Sequence, residues 1–582
     1  MKTSQKWNKT KRIEKGAIRK KRTGRTPIAL VFPDTYQLGM ANLGLQTVYG
    51  VLNSDDRVVA ERFFVPGPPF DPLNDALLSE ESGRPLTDFR IIVFSISFES
   101  SYPNLVKALA SARIPLDSNE RGEGDPVIIA GGIATIINPE PVAAFIDIFL
   151  LGDIEAMTPQ LTVVLTALED AKASRRERLR ELAARMNGVY VPQAYTPIHK
   201  DGALTGWGHE DGFNIPVAPA VFLDRPEIAP HTQIISSDSA FPNMFMVEVS
   251  RGCGRGCRFC AAGFVYRPPR RWPMEAVASA LAQRKDAKDI GLVGLEYLGL
   301  DEIEWLSERL TSEGLRLSFS SLRADAVTPS FVRLLRASGA KVATIAPEAG
   351  SEALRRTINK NLTDDQILIA VDAIASGGVP NLKLYFMLGL PFETDEDALA
   401  IVELVDRIRL TMRPIGQANK RLGNITVSVS AFVPKAWTPF QWAAFADEKT
   451  MIKRIRILKD GLRLPNVIIR MEPFKNARLQ ALLSRGDRLL APVVKEIALS
   501  RTSLHMILNK NDLFAEKYLS GREIGAILAW EIIKHRVRKD YLAMEWRKAA
   551  AARQTGFCNP PACKRCGACG SAAIGPQIGK TS

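Results

Sequence analysis

Several things are scarce in this sequence, and each absence excludes something. No uninterrupted apolar stretch reaches the ~18 residues that a membrane-crossing helix needs; 127–137 and 142–151 come closest, and Gly, Asn, Pro or Asp breaks each of them. No membrane partner is therefore expected. Histidine occurs 5 times and first as His199, so no histidine can ligate a metal from the N-terminal region. His199, His209 and His231 stand at no metal-ligand spacing to one another. Cysteine occurs 7 times, never before Cys253, and in two tight groups. Clustering at ligand spacing, with no signal-peptide pattern, argues for metal binding in a reducing cytoplasm rather than disulfides. Acidic residues are almost missing from 1–25, which carries eleven Lys or Arg against Glu14 alone. That arm supplies +10 of the net charge of +14, leaving a nearly balanced body. The arm is expected to be disordered, with RNA as its conceivable partner.

The 582 residues, 46% of them apolar, exceed one hydrophobic core, and about three to five modules are expected. From residue 26 short apolar segments alternate with helical ones. Strands are predicted at 28–32, 58–65, 91–96, 127–130 and 146–151, which suits a doubly wound parallel α/β sheet over 26–188. A Pro- and Gly-rich linker with a few strands follows at 189–240. Strand–helix alternation resumes over 241–442, with six strands predicted near 245–249, 291–298, 315–319, 342–345, 382–388 and 425–430. The segment 443–552 reads as a helical satellite domain, and 553–582 as a Cys-rich tail.

The chemistry is concentrated after the first strand of the second module. Cys253, Cys257 and Cys260 form a C-x-x-x-C-x-x-C loop. A closed zinc site wants four protein ligands, and no fourth is near; three thiolates suit a cubane iron–sulfur cluster with one iron left open. Gly252, Gly254 and Gly256 let the backbone wrap an inorganic core, and Arg251, Arg255 and Arg258 are expected to offset its negative charge. The tail adds Cys558, Cys563, Cys566 and Cys569, a complete set for either a second 4Fe–4S cluster or zinc.

The three-Cys loop, with Phe259 before its last cysteine, resembles the signature of the radical S-adenosylmethionine (radical SAM) superfamily. The resemblance implies a partial (β/α)6 TIM-type barrel and a 4Fe–4S cluster whose open iron is chelated by S-adenosylmethionine (SAM). It also implies one-electron cleavage of SAM to a 5′-deoxyadenosyl radical and a reducing partner such as flavodoxin or ferredoxin. Ligands collect at the carboxyl ends of barrel strands, which suggests SAM contacts from Phe259, Gly299, Ser321, Arg323, Glu348, Gly389 and Glu393. Ala346 to Ser351 is similar to a G-x-E-S-G-S segment, and Gly389 to Thr394 to a G-L-P-G-E-T turn, of related enzymes.

The first module resembles the flavodoxin-like cobalamin-binding domain that precedes the barrel in many such proteins. Asp34-x-Tyr36-x-x-Gly39 overlies the D-x-H-x-x-G pattern of cobalamin domains, with Tyr36 where the cobalt-ligating histidine stands. Asp34, Tyr36, Gly39, Ser97, Glu99, Gly131 and Gly132 would line that site, holding cobalamin without a protein ligand; the alternative is a domain that keeps the fold without the cofactor. The expected function is radical SAM chemistry, extended to methyl transfer if cobalamin binds. Enzymes of tRNA methylthiotransfer carry a second Cys triad in the N-terminal domain, which this chain lacks. An RNA-modifying enzyme without cobalamin and a non-catalytic zinc-containing nucleic-acid-binding protein are the alternatives.

Overall fold

Strand β1 (Thr26–Phe32) is buried along nearly its whole length, and a strand apolar on both faces needs cover on both. The structure, a computed structural model, describes residues 12–168, 173–294, 300–319, 321–560 and 563–569. β1 pairs in parallel with β2 (Val58–Phe64) and β3 (Ile91–Ser95), Ile28 lying opposite both Ala60 and Ile91. β4 (Val127–Gly131) and β5 (Ile148–Leu150) continue the parallel sheet, and β6 (Val189–Tyr190) closes it antiparallel. The order β2-β1-β3-β4-β5-β6 is the expected doubly wound arrangement, with its topological switch between β1 and β3.

One expectation about the flanks of this sheet needs correction. Residues 12–25 are packed: Glu14–Lys15 pairs with Ile235–Ser236, the Ile18 amide donates to Tyr49 Oη at 2.8 Å, and Arg22 pairs with Glu61 at 2.9 Å. Carboxylates of the folded sheet meet these cations, and a charge count along the chain does not show where carboxylates will stand. Residues 1–11 lie outside the described residues. The expected linker, in turn, supplies β6 and an antiparallel hairpin, Tyr195–Lys200 with Ala203–His209.

The barrel module holds seven parallel strands rather than six. β7 (Phe245–Glu248), β8 (Asp289–Val293) and β9 (Arg316–Phe319) form one sheet; β10 (Val342–Glu348), β11 (Asn381–Leu388), β12 (Ile425–Ala431) and β13 (Val467–Met471) form the other. A parallel bridge from Leu322 to Ile345 joins the two. In β11, Leu382, Leu384, Phe386 and Leu388 are buried beneath the helix Asp395–Ala418, with half-buried Lys383, Tyr385 and Met387 between them. β13 escapes the sequence reading because its short apolar run lies between two helices, Glu448–Gly461 and Phe474–Arg485; its Val467, Ile469 and Met471 are half-buried against the barrel core.

The helices after β13 are not a separate satellite. Leu482, Val494, Tyr518, Trp530 and Leu542 belong to one continuous apolar cluster with Ile28, Leu105 and Val142 of the first module. The C-terminal region thus packs back across the N-terminal domain. Half-buried Lys435, from the turn after β12, donates to Glu99 of the first module at 2.7 Å and to Ser484 of the C-terminal helices at 2.9 Å.

Candidate active site

The three-Cys loop leaves the carboxyl end of β7 and is fixed from several sides. Arg251 pairs with Glu248 at 2.7 Å, Glu155 at 2.8 Å and Asp153 at 2.9 Å, anchoring the start of the loop to the first module. Arg258, fully buried, pairs with Glu545 at 3.1 Å and donates to the Thr357 and Arg553 carbonyls at 2.7 Å each. All three arginines expected to offset a cluster's charge therefore have carboxylate partners, Arg255 pairing with Asp325 at 3.4 Å, and Arg255 also lines the cavity. Asn359 holds the loop backbone, its amide nitrogen donating to the Arg255 and Gly256 carbonyls at 3.2 and 3.1 Å.

Cys253, Cys257 and Cys260 all face one cavity of about 210 Å³. Burial and the charges of Cys257 and Cys253 push the Cys260 thiol up to about 12, so its thiolate needs a positive centre beside it. Apolar walls come from Phe259, Phe319, Leu322, Val327 and Phe331, and polar groups from Ser321, Arg323, Glu348 and Lys360. Glu348 lies at a register shift of β10 with φ +72°, so an irregular strand end turns its carboxylate into the cavity. Burial holds its pKa above the ordinary carboxylate value, against Lys360 at 3.3 Å and the field of Arg323. Arg323 is held by Asp325 at 2.9 Å and donates to the Lys360 carbonyl at 2.9 Å.

Of the residues expected around SAM, Phe259, Ser321, Arg323 and Glu348 line this cavity. Gly389 and Glu393 do not: the Gly389 amide donates to Glu393 Oε2 at 2.5 Å, and Arg454 pairs with the same carboxylate, so both residues close a turn. Gly299 lies outside the described residues. Lys360 was not anticipated, whereas Arg255 was expected beside the cluster. Lys360 follows a short helix, Glu352–Thr357, between Asn359 and Asn361, both left-handed; that pair of asparagines was the available turn signal.

The seven residues expected around cobalamin each have an internal role. Tyr36 Oη donates to Glu14 at 2.6 Å and accepts from Ser236 Oγ at 2.8 Å, and Glu99 accepts from Lys435 at 2.7 Å and Ser484 at 2.8 Å. Asp34 accepts from the Thr35 amide at 2.7 Å and Ser97 Oγ from Asn42 at 2.8 Å. A Cβ on Gly39 would meet the Phe64 ring at 2.3 Å, one on Gly132 the Ile96 carbonyl oxygen at 2.4 Å, and one on Gly131 the Leu150 carbonyl oxygen at 3.2 Å. These residues answer to packing within the chain, and they do not fit a corrin-binding set.

In the tail, Cys558 and Cys566 are buried and Cys563 and Cys569 half-buried. Arg565 donates to Cys563 Sγ at 3.3 Å, and its charge lowers that thiol's pKa although burial acts the other way. Among the described residues no group of three His, Cys, Asp or Glu side chains is set to hold a single metal ion.

Comparison with known proteins agrees with this architecture. Residues 44–192 match the family model of radical SAM proteins, N-terminal, and residues 247–405 that of the radical SAM superfamily. The chain belongs to the radical SAM superfamily. It is 26% identical over 495 residues to an uncharacterized protein of Methanocaldococcus jannaschii, covering 84% of this chain and 95% of that one. A tRNA-2-methylthio-N(6)-dimethylallyladenosine synthase of Thermoanaerobacter is 26% identical over 200 residues, 31% of this chain and 42% of that protein. Among solved structures, the radical SAM methyltransferase TsrM of Kitasatospora setae, with cobalamin and a 4Fe–4S cluster bound, superposes with a TM-score of 0.52 at 11% identity. That superposition covers 84% of this chain and 100% of TsrM, and it is a likeness of fold.

Proposed function

We propose that this protein is a radical SAM enzyme that reductively cleaves SAM, with Cys253, Cys257 and Cys260 holding a 4Fe–4S cluster. The observation that carries this reading is that three thiols and the side chains of Ser321, Arg323, Glu348 and Lys360 open into one cavity. Cys253, Cys257 and Cys260 would hold the cluster, which would supply the single electron for reductive cleavage of SAM to methionine and a 5′-deoxyadenosyl radical. Ser321 and Arg323 offer donors to the SAM carboxylate, and Glu348 an acceptor to its amino group. The Phe259, Phe319 and Phe331 rings exclude water from the reacting centre. A one-electron carrier such as flavodoxin or ferredoxin is the reductant this chemistry requires. Cobalamin is left out of the proposal, because the residues that would line its site are engaged within the chain.

Anaerobic reconstitution with iron and sulfide, then reduction with SAM present, tests the reading. Formation of 5′-deoxyadenosine that is lost in Cys253→Ala, Cys257→Ala and Cys260→Ala supports it. Zinc in the loop, with neither iron nor acid-labile sulfide, would replace it with the zinc-containing nucleic-acid-binding protein.

A further inference from the structure

The four-cysteine tail is built onto the three-cysteine loop. The Cys558 amide donates to the Gly254 carbonyl at 2.8 Å, and the two segments are so close that a Cβ on Gly254 would stand 2.6 Å from Phe557 Cζ and 2.9 Å from the Cys558 carbonyl oxygen. Asn359, which accounts for the next two loop carbonyls, is itself locked to the tail. Its Oδ1 accepts from the Thr555 amide at 2.8 Å, and its Nδ2 donates to the Thr555 carbonyl at 3.2 Å. Three consecutive carbonyls, those of Gly254, Arg255 and Gly256, are thus oriented by the tail or by the one residue the tail grips. A third link is Arg267, which donates to the Gly263 carbonyl at 2.8 Å and has Cys566 among its polar neighbours.

Cys566 and Ala568 reach the main apolar cluster, but the tail has little regular structure to hold its shape. Arg565 ties the Gly556 and Phe557 carbonyls at 3.2 and 2.7 Å, and the Arg538 amide donates to the Cys566 carbonyl at 3.0 Å, but no regular helix or strand runs through 555–560 or 563–569. A segment of this kind gains its shape from a metal joining its cysteines.

We propose that Cys558, Cys563, Cys566 and Cys569 bind a thiophilic metal centre, iron–sulfur or zinc, that acts as a clamp: metal in the tail fixes 555–558 against the three-Cys loop and thereby strengthens cluster binding there. The proposal rests on the radical SAM reading of the loop. Residues that orient metal ligands from the outer shell typically change metal affinity about ten- to a hundredfold. Linkage requires the same factor in both directions, so a filled loop also tightens the tail's hold on its metal.

The test uses the full chain, purified without oxygen and loaded with iron and sulfide. The loop cluster is followed by the part of the reduced electron paramagnetic resonance signal that responds to SAM, and its loss to a chelator is timed. Cys563→Ser/Cys569→Ser, both at half-buried positions, is expected to lose the tail metal and to release loop iron about ten- to a hundredfold faster. Phe557→Ala, which leaves every cysteine in place, is expected to speed loop-iron release in the same direction, with unfolding temperature confirming that each variant is folded. Cys253→Ala/Cys257→Ala/Cys260→Ala is expected to release tail metal faster by a similar factor, and the element released says whether the clamp holds iron or zinc. Loop-iron release as slow as wild type in a tail variant that has lost its metal overturns the clamp and leaves the proposed function standing. A wild-type loop that takes up no iron, beside a loaded tail, overturns the proposed function and the clamp with it.

Discussion

Lys360 Nζ lies 3.3 Å from Glu348 Oε1 at the edge of the cavity, an ammonium set against a carboxylate whose pKa burial has already raised. Glu348 accepts from the amino group of SAM more strongly when ionised, and Lys360 is the nearest charge that favours that form. SAM affinity is therefore expected to fall as the pH drops through the raised pKa of Glu348. In Lys360→Met the fall moves to higher pH, and binding at neutral pH weakens by about 1.5–3 kcal/mol, the worth of a hydrogen bond to a charged group. Calorimetric titration of SAM against the reconstituted chain at several pH values measures both effects. A variant with the wild-type pH profile would remove Glu348 from the SAM site.

Glu393 gives a pH effect on stability instead of binding. Burial raises its pKa from the ordinary 4.5 to about 7, against the Arg454 charge. Because the folded value lies above the unfolded one, folding takes up a proton. The stabilising contribution is complete below 4.5 and is lost as pH rises through about 7. Wild type should lose on the order of 3 kcal/mol across that window, and Glu393→Gln should flatten this part of the profile. Denaturant unfolding at acid and neutral pH decides it; parallel profiles for the two proteins would rule this origin out.

Arg258 and Glu545 form a buried pair, 0% and 1% exposed, between the three-Cys loop and the helix Lys539–Ala550. Arg258→Met leaves Glu545 with Lys548 at 3.0 Å and Thr555 Oγ1 at 2.7 Å and is expected to cost about 1.5–3 kcal/mol, whereas Arg258→Met/Glu545→Leu should recover part of that loss. Recovery is incomplete because the Thr357 and Arg553 carbonyls lose their donor as well. Chemical unfolding of the two variants gives the coupling; a double variant less stable than Arg258→Met would mean that the guanidinium's carbonyl contacts outweigh the ion pair.

Much of the architecture was legible because buried parallel strands are continuous apolar runs: 28–32 and 127–130 stand out for the same reason that β1 and β4 lie at the centre of a covered sheet. β13 was not legible, since Val467 to Met471, though largely apolar, is a short run set between the helices Glu448–Gly461 and Phe474–Arg485 and reads as part of a helical stretch. The site divides in the same way. Ser321, Arg323 and Glu348 could be placed because strand ends carry the ligand side of a parallel barrel. Lys360 comes from a turn after a helix and Asn359 from the same turn, and only the folded chain brings them to the loop. Gly389 and Glu393 show the opposite error: a segment similar to a ligand-bordering turn uses its carboxylate to close itself. The C-terminal helices looked independent because an apolar helix face shows in sequence but its partner does not; here the partner is the first module.

Lys435 bridges Glu99 and Ser484, and this contact separates two roles for the first module. Glu99 is buried, yet its pKa is lowered, because Lys435 outweighs the burial that would raise it. If the triad is a structural tie between the first module and the C-terminal helices, Lys435→Met strands a buried carboxylate and costs about 3–5 kcal/mol in unfolding experiments. If Glu99 served a cofactor, the same variant would alter cobalt retention while stability changed little. The structural role predicts that chain purified after growth with hydroxocobalamin carries far less than one cobalt per protein, and that Lys435→Met leaves this cobalt content unchanged while lowering the unfolding midpoint. Stoichiometric cobalt in wild type that disappears in Lys435→Met would return cobalamin to the mechanism and Glu99 to its site.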